Sequence, residues 1–248
     1  RHQSWYQNNQ LHRGDGPAHI DYENGVIFKE MYYSNGQLHR NDGPAVLEYN
    51  QLGVCQVRSY YKHGKLHRED GPAEIKYNDG GSVIKETYYL NGVINRKGDN
   101  PTIITYYTNG NIHIVKYSLG DQLHRNNGKP AKLKYNSTGL VESIKYYENG
   151  ALHNLSGPSE ILCYANGKIH TEKYYSHDQL HRDDGPAHEG ADGSKEWIID
   201  GKHHRLDGPA IISSFGCKCW YIDGKKYDNE ILRIIDVNKI ESIHIFKG

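Results

Sequence analysis

The chain has 248 residues, of which 30 are Lys or Arg and 30 are Asp or Glu, so its formal net charge is zero. That balance excludes a general binder of nucleic acid or of anionic membrane, either of which needs a clear basic excess. Only 3 Phe and 1 Met stand beside 21 Tyr, which excludes a thick apolar core and favours a pleated, half-buried surface where a tyrosine ring packs while its hydroxyl stays wet.

In chain order, one motif returns again and again. It reads Leu11-His12-Arg13-Gly14-Asp15-Gly16-Pro17-Ala18, then Leu38-His39-Arg40-Asn41-Asp42-Gly43-Pro44-Ala45, then Leu66-His67-Arg68-Glu69-Asp70-Gly71-Pro72-Ala73. A poor copy follows from Ile94-Asn95-Arg96 to Pro101-Thr102. His124 and His153 belong to two partial copies that end in Pro130-Ala131 and Pro158-Ser159. The motif then recovers with His181, Asp184, Gly185, Pro186 and Ala187, and returns last with His204, Asp207, Gly208, Pro209 and Ala210. All 8 prolines of the chain fall on this comb, 23 to 29 residues apart. A fixed period of this length is the signature of a repeat architecture, so the chain is read as eight tandem repeats over residues 1–224.

Each repeat carries a second landmark, an aromatic pair running into a turn, as in Tyr32-Tyr33-Ser34-Asn35-Gly36 and Trp197-Ile198-Ile199-Asp200-Gly201. Asn-Gly and Asp-Gly suit a type I′ hairpin turn, which needs positive φ at both central residues. After Pro-Ala comes an alternating stretch such as Glu74-Ile75-Lys76-Tyr77, a second turn, and a strand expected to run unbroken from Val83 to Tyr89. The expectation is two antiparallel strands per repeat, about sixteen in all, in an elongated, twisted sheet or solenoid on the order of 75 Å long. From residue 225 the pattern changes. Ile231, Leu232, Ile234, Ile235 and Val237 form an apolar cluster and Ser242–Phe246 alternate, which predicts a small C-terminal cap over residues 225–248 that covers an open sheet end.

The signature residues His12, Asp15, Gly16, Pro17, His39, Asp42, Gly43, Pro44, His67, Asp70, Gly71 and Pro72, with their later counterparts, are read as structural. Glycine is expected to supply an unusual backbone angle, proline to fix φ, aspartate to bond turn amides, arginine to pair with its own or a neighbouring aspartate, and histidine to tie its ring nitrogens to carbonyls. No metal site is expected: equivalent signature histidines two strands apart lie about 9–10 Å from each other while Zn–N bonds are about 2 Å, and within one repeat only His and Asp are offered, too few ligands for a tight site. No unique catalytic constellation, nucleotide loop or cofactor motif is present, so neither catalysis nor a cofactor is expected. The aromatic row Tyr32, Tyr60, Tyr88, Tyr146, Tyr174, Trp197 and Trp220 is the candidate binding surface, read first as cross-strand packing and second as a platform for sugars or a peptide. Cys55, Cys163, Cys217 and Cys219 do not make a disulfide framework. They point to a reducing intracellular or virion-associated setting, with Cys217 and Cys219 as small core residues. No apolar run reaches membrane-spanning length.

The sequence Glu196-Trp197-Ile198-Ile199-Asp200-Gly201-Lys202-His203 resembles the first strand and turn of a MORN repeat. The His-Arg-x-Asp-Gly-Pro-Ala extension resembles a MORN-variant repeat of giant DNA viruses and large tailed phages. The resemblance spans the chain to about Gly224 and implies a hairpin-repeat sheet used for association with proteins or lipid; a related bacterial group is counted among antitoxins. Asp-Gly-Pro-Ala replaces the second Gly-x-Gly of the standard repeat, and together with the neutral charge it weighs against lipid. The functional expectation is a non-enzymatic scaffold with a protein partner, in a viral structural or host-interacting role, able to self-associate through its sheet edges. The alternatives are a carbohydrate-binding module and an antitoxin-like inhibitor.

Overall fold

A computed structural model describes residues 1–227. The apolar cluster and final strand of the expected cap lie outside the described residues. The described residues are all β, without a helix, and among them no helix is long and apolar enough to cross a membrane. The chain divides into two compact units, the first comprising Arg1–Arg125 and Ala131–Gly139, the second Asn126–Pro130 and the described residues from Leu140 onward.

In the first unit the sheet runs through His2–Ser4, His19–Glu23, Val26–Met31, Val46–Tyr49, Cys55–Ser59, Glu74–Tyr77, Val83–Thr87, Ile103–Tyr106, Ile112–Lys116 and Lys132–Tyr135, each antiparallel to the one before. In the second it runs through Val141–Lys145, Glu160–Cys163, Ile169–Lys173, His188–Gly190, Lys195–Glu196, Ile211–Ile212, Lys218–Ile222 and Lys225–Tyr227. Alternation puts half of each strand on either face. On one face Tyr49 donates its hydroxyl hydrogen to Glu30 at 2.8 Å and Tyr106 to Glu86 at 2.9 Å. On the other face of the first unit's sheet, Lys29 pairs with Glu48 at 2.9 Å; within the second unit Lys145 pairs with Glu160 at 2.6 Å. Both faces are thus finished with polar tips over short apolar stems, as a sheet with little apolar core requires.

The long hairpins close through turns anchored by a side-chain amide. Asn50 Oδ1 accepts from the backbone N–H of Leu52 at 3.0 Å and Val54 at 2.9 Å, and Asn78 does the same for Gly80 and Ser82. The register slips by one residue between Asp21 and Tyr22, Glu48 and Tyr49, Lys76 and Tyr77, Thr105 and Tyr106, and Leu162 and Cys163. That recurring bulge lies next to the tip turn of each of these hairpins.

The expectation of two strands per repeat is corrected. The stretch from Val83 to Tyr89 breaks at Tyr88, so Val83–Thr87 belong to the sheet while Tyr89–Leu90 form a separate two-stranded hairpin with Val93–Ile94. Tyr33–Ser34 with Gln37–Leu38, and Tyr61–Lys62 with Lys65–Leu66, repeat the arrangement. The turns are of the expected kind, with φ of 49° at Asn35 and 76° at Gly36. Each repeat therefore holds one long hairpin in the sheet and one short hairpin outside it. The break follows from the aromatic, whose backbone N–H turns to the signature alanine: Tyr32 to the Ala45 carbonyl at 2.7 Å, Tyr60 to Ala73 at 2.7 Å, Tyr174 to Ala187 at 2.8 Å.

Candidate interaction surface

The signature loop folds back on the aromatic of its own repeat. His12, His39, His67, His124, His153, His181 and His204 each donate a backbone N–H to the carbonyl of that aromatic, and Asn95 does so in the fourth repeat. The chain then turns so that the following arginine lies flat on the ring. Arg40 Cζ sits 4.0 Å from the centre of Tyr32, Arg68 4.1 Å from Tyr60, Arg96 3.9 Å from Tyr88, Arg182 3.9 Å from Tyr174 and Arg205 3.8 Å from Trp197. Such stacking adds a cation–π attraction to the packing of the arginine stem.

Aspartate fixes the guanidinium edgewise. Nε donates to the aspartate two residues on, at 2.7 Å in Arg13–Asp15, 2.8 Å in Arg40–Asp42, 2.9 Å in Arg68–Asp70, 2.7 Å in Arg182–Asp184 and 2.8 Å in Arg205–Asp207. These hydrogen bonds, with the adjacent positive charge, hold the five carboxyls below the ordinary aspartate range. The neighbouring-repeat pairing occurs at Arg125, which reaches Asp99 of the degenerate fourth repeat at 2.6 Å.

The reason for the signature glycine differs from the expectation. Gly16, Gly43, Gly71, Gly185 and Gly208 do not have positive φ; a Cβ on them would lie 2.9 to 3.2 Å from the arginine Cζ. Glycine makes room for the guanidinium instead of supplying an unusual angle. Pro17, Pro44, Pro72, Pro186 and Pro209 follow it, and in the last two loops the proline carbonyl accepts from arginine Nη1 at 3.2 and 3.3 Å. Ala18, Ala45, Ala73, Ala131, Ala187 and Ala210 are fully buried.

Histidine also differs. Its Nδ1 meets the next turn along the chain instead of donating to a carbonyl: it accepts the backbone N–H of Asn35 at His12 at 3.2 Å, of His63 at His39 at 3.3 Å and of Asn91 at His67 at 3.1 Å, while at His181 and His204 it lies 2.9 and 2.8 Å from the carboxylates of Asp200 and Asp223, which can only accept. Beside this bond the second turn residue donates to the preceding leucine carbonyl, as Gly36 does to Leu11 and Gly64 to Leu38, both at 2.9 Å. At these five steps the histidine contact and the leucine carbonyl bond together stack one short hairpin on the next.

Of the candidate binding row, Tyr32, Tyr60, Tyr88, Tyr174 and Trp197 have a ring face occupied by arginine. In the loop after Tyr146, Asn154 replaces the arginine, and Trp220 lies half-buried opposite Tyr227. Between successive loops the surface forms open clefts. One of about 490 Å³ is lined by His12, Arg13, Tyr32, His39 and Arg40; another of about 680 Å³ is lined by Arg182, Trp197, His204 and Arg205. Each guanidinium in them already faces an aspartate, so neither cleft carries a marked excess of one charge.

Apolar exposure lies elsewhere. Leu52 and Phe215, at tips of long hairpins, are 85% and 94% exposed, and Leu155 in a signature loop 88%. Val26, Ile112, Leu140 and Ile169 follow other tips and are also exposed. Sequence alternation misses the tip residues because they sit in turns. The four cysteines are free, and Cys217 is exposed, which corrects its reading as a core residue. Glu196 carries no motif signal in the sequence, yet its carboxylate bridges His188 at 3.0 Å and His203 at 2.6 Å. Burial raises its pKa, but the two histidine hydrogen bonds outweigh that and leave it below the ordinary range. Comparison with known protein families and with curated proteins finds no match.

Proposed function

We propose that the chain is a non-enzymatic repeat scaffold whose long-hairpin tips bind a protein partner. The observation that supports this reading is the exposure of Leu52 and Phe215 at those tips, while the signature side chains are spent on their own repeat or the next. Large apolar groups held out on ordered turns fit the anchors of a protein interface. The viral structural or host-interacting role proposed for such a scaffold rests on its resemblance to MORN-variant repeats alone. A sugar platform is less well supported, because arginine covers most of the aromatic faces it would use.

The test is capture of partners by the tagged chain at moderate and high salt, with Leu52→Asp and Phe215→Asp compared against the parent. A stoichiometric protein that survives high salt and is lost with either tip variant supports the proposal. Capture that is indifferent to both variants, or no stoichiometric partner, overturns it.

A further inference from the structure

Five signature histidines spend Nδ1 on the turn of the next repeat; His153 does not. Its side chain is 10% exposed, its Nδ1 is buried without a hydrogen-bond partner, and its Nε2 stops 3.7 Å from Glu148 Oε2, beyond hydrogen-bond length. In the following turn His177 and Asp178 take φ of 48° and 68°, and Asp178 stands in the place of glycine. The Asp178 carboxylate accepts the Leu152 N–H at 2.7 Å while its own N–H meets the Leu152 carbonyl at 3.0 Å. The His177 ring lies over that of His153 with centroids 4.2 Å apart.

We propose that Glu148, His153 and His177 form a binding site for a zinc-class divalent metal that clips two successive short hairpins together. One ligand atom from each of the three lies within 4.8 Å of the others. Two imidazoles and a carboxylate are a donor set suited to zinc and its neighbours, with a fourth position left to water. Bonds of about 2.0–2.2 Å put tetrahedral ligands about 3.3 Å apart, so the group must contract. Glu148 and His177 are exposed and rotate to do so around the fixed His153, with the His177 ring leaving the stack. Ser176 Oγ lies 3.3 Å from His177 Nδ1, which leaves Nε2 for the metal and gives the ring an orienting partner.

The chain contains its own comparison. His39 and His63 form a similar ring pair at 4.7 Å, but the His63 N–H occupies His39 Nδ1 and Ser34 stands where Glu148 does. A ring pair alone therefore does not make the site; the carboxylate and the released imidazole do. The site does not bridge signature histidines of adjacent repeats: His177 comes from a turn and Glu148 from a short-hairpin strand, and they supply the ligands that the signature itself lacks.

The experiment is calorimetric titration of the full chain with zinc chloride, in a Cys217→Ser, Cys219→Ser background that removes the thiol pair as a competitor. Imidazole Cε1–H signals are followed by NMR in parallel. The expected result is one saturable equivalent that shifts the His153 and His177 signals. Glu148→Gln or His177→Asn should weaken it at least tenfold, while His63→Asn leaves it unchanged. Zinc should also raise the unfolding temperature of the parent and not of His177→Asn. No saturable binding, or binding weakened less than tenfold by both variants, overturns the proposal.

Discussion

Gly185→Ala tests the account of the signature most directly. At a position with negative φ, Gly→Ala ordinarily stabilises by about 0.4–1 kcal/mol, because alanine has less freedom to lose on folding. Here the added Cβ would lie 2.9 Å from Arg182 Cζ and 3.1 Å from Nε, too close to Cζ to be kept, so the guanidinium must shift. The shift weakens, and at its limit loses, its hold on the face of Tyr174 at 3.9 Å and on the Pro186 carbonyl at 3.2 Å. The stacking is worth about 0.5–2 kcal/mol and the hydrogen bond about 0.5–1.5 kcal/mol; set against the ordinary gain of about 0.4–1 kcal/mol, their loss bounds the net destabilisation at about 0–3 kcal/mol. The decisive comparison is Arg182→Ala. In that background nothing remains for the Cβ to strike, and Gly185→Ala should become neutral or stabilising. The double-mutant cycle is read by urea unfolding and by hydrogen exchange of the Tyr174 N–H, which is bonded to Ala187 in the same loop. A Gly185→Ala that costs the same with and without Arg182 would refute the steric account and return the glycine to a backbone role.

Three further outcomes are expected. His67→Ala removes the acceptor of the Asn91 N–H and should cost about 0.5–1.5 kcal/mol, with faster exchange at the Asn91 amide but not at Asn149, two repeats further on. Ala45→Val places two methyl groups at a site with no exposure and should cost about 1–3 kcal/mol in the same unfolding assay. Glu196 is lowered below its ordinary value of 4.5 in the folded chain. Its contribution is therefore present above that value and lost as pH falls through the lower folded value; Glu196→Gln should flatten the dependence of stability on pH below about 4.5, and an unchanged acid limb would count against the bridge.

The repeat itself was legible because proline tolerates so few settings: eight prolines on one comb mark eight equivalent backbone positions. The Asn-Gly turns were legible because their φ values are demanding. The separate short hairpin was hidden, because Tyr88 is as good a strand residue as Thr87 or Tyr89, and only the distant Thr102 carbonyl that takes its N–H breaks the strand there. The roles within the signature were hidden for a similar reason. Composition cannot distinguish a glycine needed for φ from one needed for space, and it does not reveal that Arg40 spans eight positions to lie on Tyr32. The acceptor role of His39 depends on a turn 24 residues away. Equivalent reasoning located the aromatic row but could not see its guanidinium covers.

The same bonds indicate where function resides. A residue that recurs in every repeat and is fully engaged there serves the repeat: Arg205 stacks on Trp197, bonds Asp207 and Pro209, and needs Gly208 beside it. Such a group has little capacity left for a partner. The positions that differ between repeats are under no such demand. Asp99 pairs with Arg125 of the next repeat, Asn154 stands at the arginine position of the loop after Tyr146, Asp178 replaces a turn glycine, and Leu52 and Phe215 occupy tips where other hairpins carry polar residues. In a stack whose stability is a sum of local and nearest-neighbour contributions, each departure costs only its own junction. A repeat scaffold can therefore acquire a metal clip at one step and an apolar anchor at another without altering the remaining copies. The proposed partner surface and the proposed metal site both lie at positions of this kind.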